Sequence, residues 1–348
     1  MILMTNTLPL VSVLIPTYNR KELLRRAIDS VRLQNYENIE IYITDNASTD
    51  GTFDIMNKYM KIDSRIIYNR RETNTGPLYN GSEAYSHLKG KYAIILCDDD
   101  YFISKTFISN AVKVMEENHN IVVVRGIVKC LNENTNDIFI DSYNSKEYIR
   151  GIDYFLNYGN HNGYDNITSF FAMFRKSVGD KTKVFKRFLP SGDTWLWLYL
   201  FLFGDIYFLS NEIIGCYTEH NLGQDKYNTE TLENVDYMLE LIEDLKNKAF
   251  DLYPNYSKEI NIKVEKIFGE ILVWHTAQLC KVIGKKKAFK IMKSKEIVKK
   301  YPRIKSRIFG SLCFTIPFKL ILFGLEIDKK FFTLFIFGIR INIKKRIK

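Results

Sequence analysis

Three consecutive carboxylates, Asp98, Asp99 and Asp100, directly follow the apolar run Tyr92–Cys97. Carboxylates this close repel one another unless a cation neutralises them, and oxygen ligands of this kind suit Mg²⁺ or Mn²⁺. A cation held there could also bridge to the phosphates of a nucleotide. A solvent-exposed acidic turn would give the same sequence, because aspartates are frequent in turns.

Two other polar clusters also follow apolar runs: Pro16–Asn19 near the start of the chain, and Asp45–Asn46 after the next run. In open α/β sheets, ligands bind in the crevice outside the carboxyl ends of the strands. We therefore expect these two clusters and Asp98–Asp100 to line one binding site.

Asp193 stands just before the apolar, aromatic segment Trp195–Phe203, which predicts a buried helix. Its carboxylate could cap the helix, because an aspartate there accepts hydrogen bonds from free backbone N–H groups. The tryptophans fit a protein core better than a sugar-binding surface.

The elements that must position these residues follow from hydrophobic periodicity. Apolar runs alternate with amphipathic stretches over the first 125 residues, which is typical of β-α-β units and a parallel sheet. Asn19 and Glu22 have the spacing of a capping box at the start of the first helix. Further helices are predicted over 230–300. Strands are predicted over 10–16, 39–44, 65–68, 92–97 and 121–124.

Four motifs, in this order and spacing, make the chain resemble a large enzyme family. They are P-T-Y-N-R, D-N-A-S-T-D-G-T, N-T-G-x-x-x-N and G-K-Y-A-I-I-L-C-D-D-D, all within residues 8–125, and the likeness resumes at Gly192-Asp193 and at 217–221. The pattern is similar to that of the family 2 inverting glycosyltransferases. The resemblance implies the GT-A fold: a Rossmann-like α/β domain with a mixed, mainly parallel sheet flanked by helices, here followed by a helical C-terminal region.

The resemblance also implies roles for single residues. Cys97 stands where the family often has a further aspartate, so the working pair among the three aspartates stays open. Tyr79 replaces an arginine that often precedes Asn80, so one diphosphate contact is either missing or supplied elsewhere. The implied nucleotide-binding residues are Pro16, Thr17, Tyr18, Asp45, Asn74, Asp98 and Asp99, and the implied ligands of Mn²⁺ or Mg²⁺ are Asp99, Asp100 and His220.

The function implied is transfer of a sugar from a nucleotide donor, with a UDP-sugar favoured, to a glycan or lipid-linked acceptor. Asp193 would be the general base of this inverting reaction, and bacterial surface polysaccharide synthesis would be its setting. The alternative is a catalytically inactive glycan- or membrane-binding protein on the same scaffold. His220 could be structural instead, as lone histidines often are.

The charge of the chain is strongly asymmetric. Residues 281–348 carry 20 Lys and Arg against three acids, a net +17, which leaves −7 for the first 280 residues of a chain of net charge +10. A basic segment on an acidic body indicates an anionic partner for that segment. Its Phe-rich runs, such as Phe331–Phe337, favour a membrane surface over nucleic acid.

Domain boundaries follow from these patterns. We predict a catalytic domain over 1–225, a helical accessory region over 226–302 and a basic, aromatic-rich membrane-interface tail over 303–348. The five cysteines form no C-x-x-C pair, and no basic residue precedes the first apolar residues. We therefore expect a cytoplasmic protein, held peripherally on the inner face of the plasma membrane.

Overall fold

The computed structural model describes the side chains and backbone of most of the chain, and only the backbone of three strands near its end. The chain divides into two compact units, Met1–Gln224 and Asp225–Lys348. The described residues are 8–142, 146–160, 171–182, 184–185, 192–219, 235–236, 238–302, 304–305 and 308, with the backbone of 325–327, 331–336 and 339–344.

The first unit is built on a mixed sheet whose first half is parallel, which confirms the predicted fold class. Its first four strands lie in the order β3-β2-β1-β4. Their side chains are largely apolar and buried, as in parallel strands covered on both faces. The four strands are β1 (Val11–Thr17), β2 (Ile39–Asp45), β3 (Ile66–Arg70) and β4 (Tyr92–Ile95).

The sheet continues beyond β4 with strands of both directions. Next to β4 lie, in order, β9 (Ala172–Arg175), β6 (Ile121–Asn132), β10 (Asp205–Glu219) and β5 (Tyr101–Phe102). β6 runs parallel to β10, and β9 is antiparallel to both its neighbours. The strand predicted at 121–124 is thus much longer, because its second half pairs with β7 (Asp137–Ser142) in a hairpin. A short β8 (Tyr148–Ile149) pairs with β10.

Helices connect these strands. The first, α1 (Lys21–Arg32), buries an apolar side against the core, formed by Leu24, Ala27, Ile28 and Val31. α2 (Thr52–Ile62), α3 (Pro77–Ser86), α4 (Phe107–Glu117), α5 (Gly151–Asn157) and α6 (Lys176–Gly179) follow. In α7 (Gly192–Phe203) every residue from Trp195 to Leu202 is buried, which confirms the predicted core helix.

The predicted capping box at α1 is wrong. Asn19 lies outside the helix with a φ of 52°, a conformation that asparagine tolerates better than most residues. It binds the loop after β2 instead: its backbone N–H donates to Ser48 Oγ at 2.8 Å, and its Oδ1 accepts from the Thr49 N–H at 2.7 Å. The first N–H of the helix, that of Lys21, donates to the Asp50 carboxylate at 2.9 Å. A distant loop therefore caps α1.

The second unit is mainly helical in its described part. It contains α8 (Met238–Leu252), α9 (Ser257–Ile283), α10 (Lys285–Ser294) and α11 (Glu296–Lys300). α9 buries an apolar side that includes Val264, Phe268 and Leu272. None of the helices in the described residues is long and apolar enough to cross a bilayer. Near the end, β11 (Leu325–Ile327), β12 (Phe331–Ile336) and β13 (Ile339–Lys344) form an antiparallel sheet.

Candidate functional site

The three aspartates lie in a tight turn at the carboxyl end of β4. The Asp100 N–H donates to the Cys97 carbonyl at 3.1 Å and closes this turn. Just before it, the Leu96 N–H donates to the Leu14 carbonyl of β1 at 2.9 Å. The turn is thus fixed to the edge of the sheet where β1 and β2 also end, which is the expected place for a ligand.

Asp98 is held from two sides. Its Oδ2 accepts from the Thr17 hydroxyl at 2.7 Å, and its Oδ1 accepts from the Arg20 guanidinium at 3.0 Å. Burial raises the pKa of Asp98 to about 6, with Arg20 acting against the shift and the charge of Asp99 adding to it. Thr17 and Asp98, predicted from separate motifs, are therefore direct partners.

Asp99 and Asp100 are the aspartates whose geometry fits a cation. A carboxylate oxygen from each and the Cys97 sulfur all lie within 4.8 Å of one another. Burial, and then the charge of Asp99, raise the pKa of Asp100 well above its usual value, so a bound cation would relieve the cost of two adjacent carboxylates. Burial also raises the pKa of the Cys97 thiol, which leaves the carboxylates as the hard ligands that Mg²⁺ and Mn²⁺ prefer.

Asp45, predicted to hold a nucleotide base, is fully buried at the end of β2. Its Oδ1 accepts from the Ser48 N–H at 2.9 Å and its Oδ2 from the Tyr68 hydroxyl at 2.5 Å, with Arg70 at 3.7 Å. It pairs in strand register with Thr17, so the two predicted base-binding residues are neighbours. A nucleotide base that binds Asp45 must share a carboxylate that already accepts these two hydrogen bonds.

Asn74 is joined to this edge through Asn46. The Asn46 amide donates to Asn74 Oδ1 at 2.7 Å, and the Asn46 N–H donates to the Thr17 carbonyl at 3.0 Å. Pro16 and Tyr18, on either side of Thr17, are both partly exposed at the same edge. The predicted nucleotide-binding residues therefore share one edge of the sheet.

Arg71 lies beside Asn80, the residue that an arginine often precedes in the family, and forms an ion pair with Glu83. Its Nε donates to Asn80 Oδ1 at 3.0 Å, and its terminal nitrogen donates to the backbone carbonyl of Tyr79 at 3.3 Å. The Tyr79 side chain itself is 68% exposed. The sequence did not single out Arg71, because it lies nine positions before Asn80. The tyrosine that stands at position 79 in place of an arginine was the available signal.

Arg26 of α1 is a second arginine that the sequence did not single out. Its guanidinium donates to the Asp99 carbonyl at 2.8 Å and to the Thr218 hydroxyl at 3.3 Å. It also forms an ion pair with Glu133 at 2.8 Å, at the tip of the β6–β7 hairpin, and lies over the Tyr101 ring. It thus joins the aspartate turn to the β6–β7 hairpin and to the end of β10.

Asp193 lies in the first turn of α7, half-buried. Burial raises its pKa to about 6, and the Thr194 N–H, which donates to Asp193 Oδ1 at 2.8 Å, acts against this shift. Such a pKa suits a general base near neutral pH. Among the described residues, no hydrogen bond or ion pair joins Asp193 to the aspartate turn.

His220, the third predicted metal ligand, lies outside the described residues. The strand that leads to it does reach the site: the N–H of Thr218, two residues earlier, donates to Asp100 Oδ1 at 3.0 Å. The end of β10 is thereby fixed against the aspartate turn.

Part of the chain is similar in sequence to known proteins. Residues 12–180 match the sequence profile described as "Glycosyl transferase family 2". This part of the chain belongs to that family. The matched segment contains Thr17, Asp45 and all three aspartates, and ends before Asp193.

Two relatives of the family 2 domain have named activities. One is the Escherichia coli UDP-Glc:alpha-D-GlcNAc-diphosphoundecaprenol beta-1,3-glucosyltransferase WfaP, 41% identical over 107 residues, which are 31% of this chain and 41% of that protein. The other is the Campylobacter jejuni GalNAc(5)-diNAcBac-PP-undecaprenol beta-1,3-glucosyltransferase, 34% identical over 98 residues, or 28% of this chain and 32% of the relative. The chain thus spans well under half of either relative.

The fold is similar to that of a solved structure. The S. aureus TarS fragment 1–349, solved in complex with UDP-GlcNAc, has a TM-score of 0.55 and 14% identity, and the likeness covers 97% of this chain and 99% of that one. At this identity the likeness is one of fold. The expected GT-A architecture is confirmed.

Proposed function

We propose that the chain is an inverting glycosyltransferase that moves a sugar from a UDP-sugar to a glycan or lipid-linked acceptor. The observation that carries the proposal is the direct bond between Thr17 and Asp98, at 2.7 Å, beside the Asp99–Asp100 pair. It joins the family's nucleotide-binding and acidic motifs at one sheet edge. Family membership and the uridine nucleotides in the names of WfaP and the TarS complex support the donor class.

Asp99 and Asp100 would hold Mn²⁺ or Mg²⁺, with His220 as a further ligand. When bound, the cation neutralises charge on the departing diphosphate. Arg71, which lies beside Asn80 and pairs with Glu83, would add a second positive charge near the diphosphate, in the role that position 79 lacks. Asp98, engaged by Thr17 and Arg20, would face the ribose.

Asp193 would accept the proton of the acceptor hydroxyl as its oxygen attacks the anomeric carbon and the diphosphate departs. Attack from the side opposite the leaving group inverts the configuration at that carbon. A carboxylate with a pKa of about 6 is ionised at neutral pH and remains basic enough to take the proton.

The proposed acceptor class is supported by two relatives, whose names include diphosphoundecaprenol and PP-undecaprenol. A lipid-linked acceptor would place the enzyme at the inner face of the plasma membrane, in surface polysaccharide synthesis. The basic residues of 303–348 would contribute to attachment at an anionic surface.

The test is metal-dependent donor binding followed by turnover. Calorimetry with UDP should give far tighter binding with Mn²⁺ than with EDTA, and UDP-sugars should be hydrolysed or transferred slowly. Equal UDP affinity with and without chelator would refute the metal site. Metal-dependent UDP binding with no transfer to any acceptor would instead favour an inactive binding protein.

A further inference from the structure

The C-terminal unit exposes a dense group of lysines on folded helices, upstream of residue 303. Between Lys281 and Lys300 the chain carries nine lysines and a single acid, Glu296. Five of these lysines are exposed around the end of α9 and along α10, and we call them the lysine face: Lys281, Lys286, Lys287, Lys290 and Lys293.

The lysine face is a consequence of how α10 packs. Ala288 and Met292, four residues apart, are fully buried and fix one side of α10 inward. Lys286, Lys290 and Lys293 have the spacing of one helix face, and it points to solvent. The one acid of the segment, Glu296, already pairs with Lys299 at 2.7 Å and so does not offset the face.

Exposed apolar side chains stand directly before this face on α9. Trp274 is 40% exposed and Val282 is 51% exposed. Lys281 follows Trp274 by seven residues, about two helical turns, so both lie on one side of the helix. Cations beside an exposed tryptophan suit a bilayer interface, where the ring sits at the headgroups and the charges meet anionic lipids.

We propose that the lysine face, with Trp274 and Val282, is a surface that docks on an anionic lipid bilayer. The choice of a bilayer rests on the proposed function, in which the acceptor is lipid-linked; the choice of an anionic partner rests on the charge alone. This surface belongs to described helices and is distinct from the segment 303–348. A polyanion in solution would be attracted by the lysines but would not need the exposed tryptophan.

The full chain offers a charge-matched test. The affinity for vesicles of phosphatidylglycerol and phosphatidylcholine, measured by sedimentation, should fall about 100-fold or more when Lys286, Lys290 and Lys293 are changed to Glu. Each lysine near such a surface contributes about fivefold to the affinity. A control variant with Lys58, Lys61 and Lys113 changed to Glu has the same net charge and should bind like the parent, as all three are exposed in the first unit. An equal loss of vesicle affinity in both variants would refute the proposed docking surface.

Tryptophan fluorescence decides the nature of the partner. Trp195 and Trp197 are fully buried, so a change on binding reports Trp274. We expect a blue shift and quenching by brominated phosphatidylcholine in mixed vesicles, absent in Trp274→Phe. Vesicle binding without that shift, or equal affinity for soluble polyphosphate, would overturn the bilayer assignment. Mn²⁺-dependent UDP binding, measured on the same variants, should be unchanged. If the unmodified chain shows no Mn²⁺-dependent UDP binding but still binds anionic vesicles through these lysines, the proposed function is refuted and the lysine face is not.

Discussion

One nitrogen of the Arg20 guanidinium, Nη1, lies 3.0 Å from Asp99 Oδ2 and also 3.0 Å from Asp98 Oδ1. The arginine therefore bridges two of the three carboxylates that would face a metal ion and a ribose. Its own side chain is 22% exposed. A divalent cation that binds Asp99 competes with this internal counter-charge.

We expect Arg20→Gln to bind Mn²⁺ alone about tenfold more tightly than the parent at pH 8, because the ion no longer displaces a charge-assisted hydrogen bond. Calorimetric titration without nucleotide measures this. Arg25→Gln, which removes an exposed arginine of α1, the helix that follows Arg20, should leave the affinity unchanged. Weaker binding in Arg20→Gln would mean that the arginine stays in place and assists the ion.

Substitutions in the aspartate turn should separate its members. Asp99→Ala and Asp100→Ala should abolish the metal-dependent part of UDP binding, because they remove the paired oxygens. Asp98→Asn should weaken UDP binding with and without metal, because it disturbs the partner of Thr17. Calorimetry in Mn²⁺ and in EDTA distinguishes the two effects. An Asp98 variant that loses only the metal dependence would reverse the assignment.

Turnover should depend on pH through Asp193. A base with a pKa of about 6 is active when deprotonated, so the rate at saturating donor should be constant above about pH 7 and fall tenfold per unit below pH 6. Asp193→Asn should lower turnover by at least about 10²-fold and leave UDP affinity intact. Near-normal turnover in this variant would mean that another residue accepts the proton.

Arg71→Met should weaken UDP binding by about tenfold if the guanidinium contributes one charge-assisted contact to the diphosphate. Its removal also leaves Asn80 Oδ1 without that partner, so the thermal stability of the variant must be compared. Adding Tyr79→Arg in the same chain should restore affinity, because position 79 is exposed and adjacent. If the double variant binds no better than Arg71→Met, the arginine only supports the loop.

His275 should make the stability of the helical unit depend on pH. Its side chain is fully buried, and this burial lowers its pKa to about 4 from an ordinary value near 6.5. The unfolded chain therefore binds a proton that the folded chain refuses between these values, and stability falls as pH falls from about 6.5 towards 4, by up to about 3 kcal/mol.

The measurement is chemical unfolding of the parent and of His275→Leu across that range. Asp98 and Asp193, whose pKa values are raised to about 6 in the folded chain, act in the opposite direction, because they favour the folded state as pH falls. Only the difference between the two proteins isolates His275. A difference that does not vary with pH would mean that the histidine titrates normally.

The sequence predicted the strands that end at the site, since buried parallel strands are apolar runs and their ends carry polar clusters. It also placed Thr17, Asp45 and the three aspartates at one edge. It failed where partners are distant in the chain. Asn19 and Glu22 have the spacing of a capping box, yet Asp50, 29 residues after Lys21, caps the helix. Local spacing cannot report a bond between two loops.

The same limit applies to charge. The three aspartates indicate a cation, but the sequence does not reveal that Arg20 already neutralises two of them, because that requires the approach of the β1 and β4 loops. Nor does it place Arg71 beside Asn80. The second half of β6 was missed for a related reason: its pairing with β7 and β10 is a property of the assembled sheet.

The contacts of Arg26 bear on how this scaffold can be redesigned. The arginine joins the backbone of Asp99 to Glu133 at the tip of the β6–β7 hairpin. A chimera that imports this hairpin from another enzyme would therefore bring a new residue opposite Arg26. If that residue is not acidic, the guanidinium loses its counter-charge next to the aspartate turn. Exchange of the hairpin should succeed as a module only when the acid at position 133 is kept or Arg26 is changed with it.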